Sequence, residues 1–224
     1  MPKQQAVEFY FDPISPFAWL AARQLDRLQD AGLAIDCKPV LFAGLLNAHG
    51  QKGPAEIPAK RLYTFHDVWR QAQQLGLTFQ GPPQHPFNPL RALRMCTAVA
   101  GPQARLQLAR ALMVACWEQG DDLTDATTLS RIAQENGFDG AQLLAATGQD
   151  EIKAALLNAT NEAIQRGIFG VPTFVLNGEF FWGSDRIDAL LWRLTHPAPN
   201  PASLQQFLQR GASAQRKQSG LTPA

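Results

Sequence analysis

The stretch FYFDPISPFAWLAARQL, from Phe9 to Leu25, decides how the chain begins to fold. Apolar residues alternate over Val7–Phe11, which predicts a β-strand that ends at an Asp-Pro turn. Ser15 then predicts the N-cap of a helix with Pro16 in the first helical position, where its missing N–H costs nothing. An apolar stripe continues through this helix as far as Gly32, which predicts the helix end. The pattern therefore puts a hydroxyl at the positive end of a helix, where proteins commonly bind anions.

A second strand and a long helical block follow. LAIDCKPVLF, residues 33–42, predicts a strand that ends at Pro39 or soon after. The order strand, helix, strand predicts a parallel pair with a right-handed crossover. No β pattern interrupts Pro58 to Gly167, so this segment predicts consecutive helices inserted into another domain. The first of these helices is predicted to have one apolar face, formed by Leu62, Phe65, Trp69 and Ala72.

A hairpin and a last helix complete the order of elements. Thr173–Leu176 and Glu179–Trp182 are strand-like and flank Asn177-Gly178, the strongest short-range hairpin signal. Trp182 occupies an alternating apolar position of the second strand, and we expect it in the core. Gly183-Ser184-Asp185 predicts the cap of the following helix. Together these elements predict an α/β fold on the thioredoxin-like plan, with a large all-helical insertion.

The same order predicts the domain boundaries. We expect residues 1–50 and 165–212 to form a discontinuous thioredoxin-like domain, residues 51–164 a helical insertion domain, and the small, polar residues 213–224 a disordered tail. In the thioredoxin-like plan, the site lies where the first helix begins and faces the residue before a proline that opens the third strand. Val171-Pro172 is in position to be that pair. Because X-Pro bonds are usually trans, a cis assignment rests on the analogy with the fold.

The composition is that of an ordinary globular protein and leaves several functions without support. The 224 residues are 46% hydrophobic and 17% charged, which provides enough apolar material for a core. Because the formal net charge is +1, nothing indicates a nucleic-acid or anionic-membrane partner. No apolar run is long enough for a membrane span, and the start MPKQQAVEFYF lacks the pattern of a signal peptide. We therefore expect a cytoplasmic protein.

Residue spacing also argues against metal and dithiol chemistry. The three cysteines are widely separated and form no C-x-x-C motif, so they indicate neither a disulfide framework nor a dithiol centre. The four histidines lack the spacing of metal ligands, and we expect no metal. No G-x-S-x-G elbow, P-loop or dinucleotide fingerprint occurs, which leaves serine hydrolase, NTPase and Rossmann functions without support.

Four stretches carry a resemblance to a known family. FYFDPISPFAWLA, GPAEIPAKRLY, HPFNPLRALR and FGVPTFVLNGEFFWGSDRID resemble the 2-hydroxychromene-2-carboxylate isomerases, with the kappa-class glutathione transferases as close relatives. The stretches occur in the right order over roughly Val7 to Leu194. More distantly, the plan resembles the periplasmic disulfide oxidoreductases, whose helix opens with C-P-x-C. Here the matching run is Ser15-Pro16-Phe17-Ala18, so dithiol exchange is not available to this chain.

The resemblance implies glutathione as the cofactor and assigns residues to it. It implies that the Ser15 hydroxyl, the expected catalytic group, donates a hydrogen bond to the glutathione thiolate. The positions of Ser184 and Asp185 hold the γ-glutamyl end in the family, and the backbone at Val171, before Pro172, pairs with the peptide part. Ser15 and Asp185 also have simpler interpretations, as a plain N-cap and as a cap or ion-pair partner.

Further positions are implied for the cofactor and the substrate. Relatives often have an Asn where Gln51 stands and use it to position glutathione or substrate. Lys52 or Lys60 is the candidate for binding a substrate carboxylate, although exposed lysines are often simply solvated. His85 and Asn88 precede a helix where relatives contact the substrate, and Asn88 is also interpretable as a cap.

The resemblance implies a glutathione-dependent isomerase that converts 2-hydroxychromene-2-carboxylate, or a similar aromatic enone acid, to trans-o-hydroxybenzylidenepyruvate. The expected partners are a small aromatic substrate and a second copy of the chain in a homodimer. We expect the helical insertion to cover the aromatic end, lined by Phe42, Leu45 and Phe87. A kappa-like transferase or peroxidase is one alternative, and a non-catalytic thioredoxin-like binding module is another.

Overall fold

A mixed β-sheet organises the chain. In the computed structural model, which describes residues 5–198 and 201–211, four strands lie in the order β2-β1-β3-β4. The strands are β1 (Ala6–Phe11), β2 (Ala34–Pro39), β3 (Thr173–Leu176) and β4 (Glu179–Trp182). β1 pairs in parallel with β2 and antiparallel with β3, and β3 pairs antiparallel with β4. The predicted strands and the parallel opening pair are therefore confirmed.

Helices account for most of the remaining described residues. They are α1 (Pro16–Ala22), α2 (Asp26–Asp30), α3 (Phe42–Ala48), α4 (Pro58–Gln74), α5 (Leu90–Ala98), α6 (Pro102–Glu118), α7 (Ala126–Glu135), α8 (Gly140–Ala146), α9 (Asp150–Gln165), α10 (Ile187–Thr195) and α11 (Pro201–Leu208). Short 3₁₀ turns cover Pro54–Glu56 and Ser184–Arg186. The seven helices α3–α9 separate β2 from β3, which confirms the predicted α/β fold with a large helical insertion.

Both faces of the sheet are covered by apolar side chains. On one face, the rings of Phe9, Phe11 and Phe174 are fully buried and stack in series, with centroids 5.6 and 5.2 Å apart. The opposite face carries Tyr10, which belongs to a buried cluster with Val40, Leu45, Ala163, Ile168, Val171 and Val175. The side chains of β1 therefore contribute to two apolar cores, since successive side chains of a strand point to opposite faces.

The prediction of a single helix from Pro16 to Gly32 is wrong, because the helix is interrupted in its middle. The structure breaks it into α1 and α2, and the N–H of Gln24 bonds to the carbonyl of Ala21 in a tighter turn. The side-chain amide of Gln24 donates to the carbonyl of Leu20 at 3.1 Å, which is the acceptor that a continuous helix would use for the Gln24 N–H. Gly32 ends the pair of helices with a φ of 86°, as predicted.

Three residues that were predicted to lie on buried apolar faces are exposed. Trp182 was expected in the core, but it is 54% exposed, because β4 is an edge strand whose inward-facing residue is Phe181. On α4, Leu62 and Trp69 are 62% and 53% exposed, while the buried residues of the helix include Val68. Of the predicted face, Ala72 is buried and Phe65 is half-buried, so the buried face of the helix is shifted from the prediction and overlaps it in part. An alternating or helical pattern gives the period of burial but not which face the neighbouring elements cover.

The hairpin and the chain end complete the fold. Asn177 and Gly178 both have positive φ, at 51° and 82°, as a two-residue hairpin turn requires. Among the described residues, those up to Leu191 form one compact unit and those from Trp192 onward form a second, in which Trp192 stacks on His196 at 4.1 Å. The predicted division at residues 50, 51, 164 and 165 stays a prediction, and the predicted tail 213–224 lies outside the described residues. No helix within the described ranges is long and apolar enough to cross a membrane.

Candidate active site

Ser15 caps the first helix and reaches across to the third strand. Its backbone is extended (φ −89°, ψ 116°), and its Oγ accepts a hydrogen bond from the N–H of Ala18 at 3.3 Å. The same hydroxyl donates to the carbonyl of Val171 at 3.4 Å. That distance is long for an O–H···O hydrogen bond, whose usual value is about 2.7–2.8 Å. The hydroxyl proton is therefore only loosely committed and can turn to a stronger acceptor.

The other residues predicted to contact the cofactor lie in segments that a backbone hydrogen bond links. The Val171–Pro172 peptide bond is cis, and both residues are buried. The carbonyl of Pro172 accepts from the N–H of Gly183 at 3.0 Å. Gly183 precedes the 3₁₀ turn that carries Ser184 and Asp185, and this turn packs against α1. The fold thus brings together residues that lie about 170 positions apart in the chain.

The turn before Ser15 is held at its polar backbone groups. The N–H of Ser15 bonds to the carbonyl of Asp12 at 3.0 Å, and the carbonyl of Pro13 accepts from Nε1 of Trp117 at 2.9 Å. The N–H of Ile14 donates to Oδ1 of Asp12 at 3.0 Å. Because these donors come from the turn itself and from α6, the position of Ser15 is set before any ligand arrives.

Asp12 is the least expected member of this arrangement. Its side chain is fully buried, and its second oxygen, Oδ2, accepts from the N–H of Phe42 at 2.9 Å, at the start of α3. Burial raises the pKa of the Asp12 carboxyl to about 7, although the two backbone donors act in the opposite direction. The sequence contained a signal for the local turn, the Asp-Pro pair, but none for the contact with Phe42.

His85 binds the carbonyl of the residue just before Ser15. Its Nε2 lies 3.0 Å from the carbonyl oxygen of Ile14. A carbonyl can only accept, so Nε2 carries the hydrogen and Nδ1 keeps a lone pair, which is buried and has no hydrogen-bond partner among the described residues. Burial lowers the pKa of the imidazole and keeps it neutral. His85 therefore contacts the residue next to Ser15, and its predicted contact with the substrate stays a prediction.

Aromatic rings surround His85 on the side of the helical insertion. Phe65 meets the imidazole edge-on at 5.1 Å, Trp117 lies at 5.5 Å, and Phe87 at 6.3 Å. Phe65 and Phe87 are half-buried, so part of this aromatic wall remains accessible. Among the residues expected to line such a cover, Leu45 is wrong: it is fully buried in the sheet core. Helix α3, which the sequence did not predict, turns Leu45 inward.

Ser184 contacts the helical insertion through a glutamine. Its Oγ donates to Oε1 of Gln71 on α4 at 3.0 Å, and Nε2 of Gln71 donates to Oδ2 of Asp67 at 2.8 Å. Ser184 is buried, whereas the Asp185 side chain is exposed and pairs with Arg186 at 2.8 Å. Gln71, Ser184 and Asp185 border a groove of about 300 Å³ between α2, α4 and the start of α10. Sequence reasoning missed Gln71 and Asp67, because nothing in α4 marks them out.

Four of the predicted site residues lie apart from the residues described above. Gln51, Lys52 and Lys60 are exposed, and among the described residues no side-chain hydrogen bond or ion pair joins them to the Ser15 turn. The Asn88 side chain accepts from the N–H of Leu90 at 3.0 Å, which is a capping contact at the start of α5. The helix begins one residue later than the Asn-Pro pattern predicted. These residues lie on accessible surface.

The chain's own thiols are unsuited to nucleophilic chemistry. All three cysteines are free and buried, and burial raises the pKa of each thiol above its ordinary value, to about 12 for Cys96. At Ser15, in contrast, two hydrogen-bond donors are available: the hydroxyl is loosely held, and the N–H of Phe17 finds no acceptor within the described ranges. No group of three metal-ligating side chains occurs in the described part of the chain.

Fold and site together define a thioredoxin-like protein in which serine stands at the head of the first helix. The family model described as DSBA-like thioredoxin domain matches residues 6–195. The chain is 31% identical to the 2-hydroxychromene-2-carboxylate isomerase of Pseudomonas putida, over 81% of this chain and 90% of that protein. It is 28% identical to glutathione S-transferase kappa 1 of Rattus norvegicus, over 86% and 92% respectively.

A solved structure supports the same assignment. A 2-hydroxychromene-2-carboxylate isomerase superposes with a TM-score of 0.80 at 26% identity, covering 89% of this chain and 98% of the other. The chain belongs to the DSBA-like thioredoxin domain family and, within it, to the group of enzymes that contains these isomerases and the kappa-class transferases. The resemblance stated from the motifs is thereby confirmed.

Proposed function

We propose that this protein is a glutathione-dependent isomerase of 2-hydroxychromene-2-carboxylate, or of a similar aromatic enone acid, with trans-o-hydroxybenzylidenepyruvate as the product. The observation that carries the proposal is the buried Ser15 hydroxyl, 3.4 Å from the carbonyl of Val171 and close in the chain to the N–H of Phe17. This is a donor set for a ligand thiolate in a chain whose own thiols are buried. The relatives in both enzyme groups, at 28–31% identity, support the same class of chemistry.

The chain's residues fit glutathione at three places. Bound glutathione would supply a thiolate that adds reversibly to the conjugated double bond, which allows rotation about that bond. Ser15 and the Phe17 N–H stabilise the negative sulfur. Val171, next to the cis proline, offers its backbone to the peptide part, and Ser184 with Asp185 binds the γ-glutamyl end. Gln51, exposed at the end of α3, is a further candidate contact with the cofactor.

The magnitudes are sufficient for thiol activation. Lowering a thiol pKa from about 8.5 to about 6.5 requires about 2.7 kcal/mol. A helix N-terminus contributes about 0.3–1 kcal/mol, and up to about 2 when it is partly buried. A hydrogen bond to a charged group contributes about 1.5–3 kcal/mol. Because α1 spans only seven residues before the break, the Ser15 hydrogen bond has to supply the larger share.

The aromatic end of the substrate has a suitable surface near the sulfur site. Phe65, Phe87 and the neutral His85 present accessible ring faces and edges beside the Ser15 turn. Lys52 and Lys60 are the candidates for the substrate carboxylate, because both are exposed and neither is paired with an acid within the described ranges. Asn88, exposed just before α5, is a further candidate for a contact with the substrate.

The test is spectrophotometric. The protein is mixed with 2-hydroxychromene-2-carboxylate, with and without glutathione, and the appearance of the open-chain isomer is followed. Turnover that requires glutathione and leaves its concentration unchanged is the expected result. Equal turnover without glutathione would contradict the proposed use of Ser15, and no turnover in either mixture would contradict the proposed substrate.

A kappa-class-like transferase or peroxidase is the second candidate. The kappa relatives match over most of the chain, and the same thiolate site serves both reactions. The two functions differ in the fate of the thiol. Net loss of glutathione thiol with chlorodinitrobenzene or a peroxide, in the absence of isomerisation, would favour the transferase or peroxidase. Failure to bind glutathione at millimolar concentration would instead favour a non-catalytic binding module.

The proposal extends to assembly and location. A homodimer is supported by the apolar side chains that α4 exposes, since Leu62, Tyr63 and Trp69 are each more than half exposed. Light scattering on the purified protein measures the mass directly. A cytoplasmic location is supported by three unpaired cysteines and by the need for reduced glutathione. Cell fractionation tests it.

A further inference from the structure

The proton of the Ser184 hydroxyl is directed at Gln71, which borders the same groove. Ser184 is 2% exposed, and its Oγ lies 3.0 Å from Oε1 of Gln71. An amide oxygen carries no hydrogen, so the serine is the donor in this pair. The lone pairs of the serine oxygen are then left for a partner in the groove. This assignment depends on which end of the Gln71 amide faces Ser184.

Asp67 decides the orientation of that amide. Nε2 of Gln71 lies 2.8 Å from Oδ2 of Asp67, one helical turn earlier on α4. An ionised carboxylate only accepts hydrogen bonds, so the NH₂ end of the amide has to face Asp67 and the carbonyl end has to face Ser184. Arg70 lies 3.9 Å from the other oxygen of Asp67 and places a positive charge beside the carboxylate. The direction of both hydrogen bonds therefore follows from a single carboxylate.

We propose that Asp67 and Gln71 are positioning residues that hold the Ser184 hydroxyl as an acceptor for the ammonium group of a γ-glutamyl ligand. The inference rests on the glutathione site proposed above and adds the direction in which the ligand's end group is held. If the serine donated, it would instead bind the ligand's carboxylate. Because the Ser184 proton is donated to Gln71, the ammonium group of the ligand binds Ser184 and Asp185. The ligand's carboxylate then binds backbone N–H groups at the start of the turn.

The charges of the groove agree with this orientation. Asp185 and Asp188 both border it, and Asp185 is exposed enough to meet a cation. The cations nearby are already engaged, since Arg186 pairs with Asp185 and Arg27 pairs with Asp188. Ser184 is thus the buried neutral acceptor beside an exposed carboxylate. An ammonium group satisfies both, whereas a carboxylate at the same place would face Asp185.

The experiment measures binding by calorimetry with glutathione and two analogues. One analogue lacks the α-amino group of the γ-glutamyl residue, and the other lacks its α-carboxyl group. In the unmodified protein, loss of the amino group is expected to raise Kd by about tenfold to a hundredfold, the range for a hydrogen bond to a charged group. In Gln71→Met the serine is free to turn, and this ratio is expected to fall at least about threefold. The ratio for the carboxyl-free analogue is expected to stay within about twofold of the unmodified protein's.

Asp67→Asn provides the sharper test, because it keeps the size of the side chain and removes only the charge that orients Gln71. An asparagine amide can donate or accept, so the amino-group ratio is expected to fall as in Gln71→Met. The double variant Asp67→Asn/Gln71→Glu again fixes the direction of both hydrogen bonds and keeps the same total charge. In it, the new amide at position 67 donates to the new carboxylate at position 71, and that carboxylate accepts from Ser184. Recovery of the amino-group ratio in the double variant is expected.

Asp150→Asn is the matched control. Asp150 is exposed on α9 and pairs only with Lys153 at 2.8 Å among the described residues, so its substitution is expected to leave every ratio unchanged. Thermal unfolding checks that each variant is folded. If the unmodified protein binds glutathione but the amino-group ratio is the same in all variants, the orienting role is wrong and the proposed function stands. If the unmodified protein does not bind glutathione, both proposals fail.

Discussion

The turn Asp12–Ser15 and the segment 51–60 were both expected to contact ligands, yet they are built in opposite ways. The turn is buried or half-buried; side chains from distant elements, His85 and Trp117, bind its carbonyl groups, and Asp12 accepts from its N–H groups. In the segment, the three predicted contact residues, Gln51, Lys52 and Lys60, are exposed. A local contact, the Gly53 N–H with Glu56 at 2.6 Å, shapes its backbone.

The difference separates two tasks. An atom that stabilises developing charge has to be in place beforehand, because reorganisation during the reaction would cost part of the stabilisation. Residues that select a substrate need only reach it, and exposed lysines do so while losing some side-chain entropy. We therefore expect changes in the turn to affect the rate strongly and changes in the segment to affect substrate affinity weakly.

Ser15→Ala is expected to have the largest effect. Removing a hydrogen bond to a charged group costs about 1.5–3 kcal/mol, so kcat/KM is expected to fall about tenfold to a hundredfold. The pKa of the bound glutathione thiol is expected to rise by about one to two units, measured by the ultraviolet absorbance of the thiolate against pH. The lost N-cap lowers the free energy of unfolding by about 1 kcal/mol.

Asp125→Ala is the control for Ser15→Ala. Asp125 is an N-cap of the same kind on α7, where its carboxylate accepts from the N–H of Thr128 at 2.7 Å. We expect a comparable loss of stability with unchanged kcat/KM. A bound thiol whose pKa is the same in the serine and alanine proteins would show that the hydroxyl is only a cap.

Trp117→Phe tests whether the rigidity of the turn matters for the rate. The variant keeps an aromatic ring but leaves the buried carbonyl of Pro13 without its donor. An unsatisfied buried acceptor costs about 1–3 kcal/mol, which is the expected loss in the free energy of unfolding. We also expect kcat/KM to fall by about threefold to tenfold, because a small displacement of Ser15 weakens its hydrogen bond.

Trp192→Phe is the matched control, since Trp192 is 57% exposed on α10. Denaturant unfolding and steady-state kinetics measure both quantities in both variants. Unchanged kcat/KM in Trp117→Phe, together with the expected loss of stability, would mean that the turn tolerates movement and that the comparison drawn above is overstated.

Asp12→Asn is expected to change the pH dependence of stability. The pKa of the buried carboxyl is raised to about 7, above the unfolded value of about 3.9, so the folded state binds the proton more tightly. The stability contributed by this group is complete below pH ~4 and is lost as the pH rises through about 7. In Asp12→Asn, this decline is expected to flatten by up to about 4 kcal/mol, at about 1.4 kcal/mol for each pKa unit.

Denaturant unfolding at a series of pH values between these limits measures the slope. Asp139→Asn is the control, because Asp139 is the N-cap of α8, where Asn caps equally well. An unaltered slope in Asp12→Asn would indicate that the carboxylate stays charged in the folded protein, held by the N–H groups of Ile14 and Phe42.

Lys52→Ala and Lys60→Ala are expected to have the smallest effects. An exposed ion pair contributes about 0.2–1 kcal/mol, so KM for a carboxylate substrate is expected to rise about twofold to fivefold. The Kd of glutathione and kcat are expected to stay the same, and added salt should reduce the difference. Lys153→Ala, on the exposed face of α9, is the control. A weaker Kd for glutathione in either variant would move that lysine from substrate to cofactor binding.

The elements that sequence predicted best are those with local causes. Ser15 caps α1 because its side chain reaches an N–H three residues away, and Asn177-Gly178 turns the hairpin because both residues accept positive φ. The prediction of one continuous helix was wrong at Gln24, where the side-chain amide bonds to the carbonyl of Leu20. The prediction that Trp182 is buried was wrong because burial depends on which face of β4 is covered, and no nearby residue carries that information.

By itself, the sequence determined the order of the four strands, the serine in place of a thiol and the proline before β3, since each depends on neighbouring residues. Only the tertiary structure decided what surrounds them. Trp117 reaches Pro13 across 104 positions, and Gln71 reaches Ser184 across 113. The physical reason is range: caps and turns are set by hydrogen bonds over three or four residues, whereas the partners of a buried hydroxyl depend on how whole helices pack.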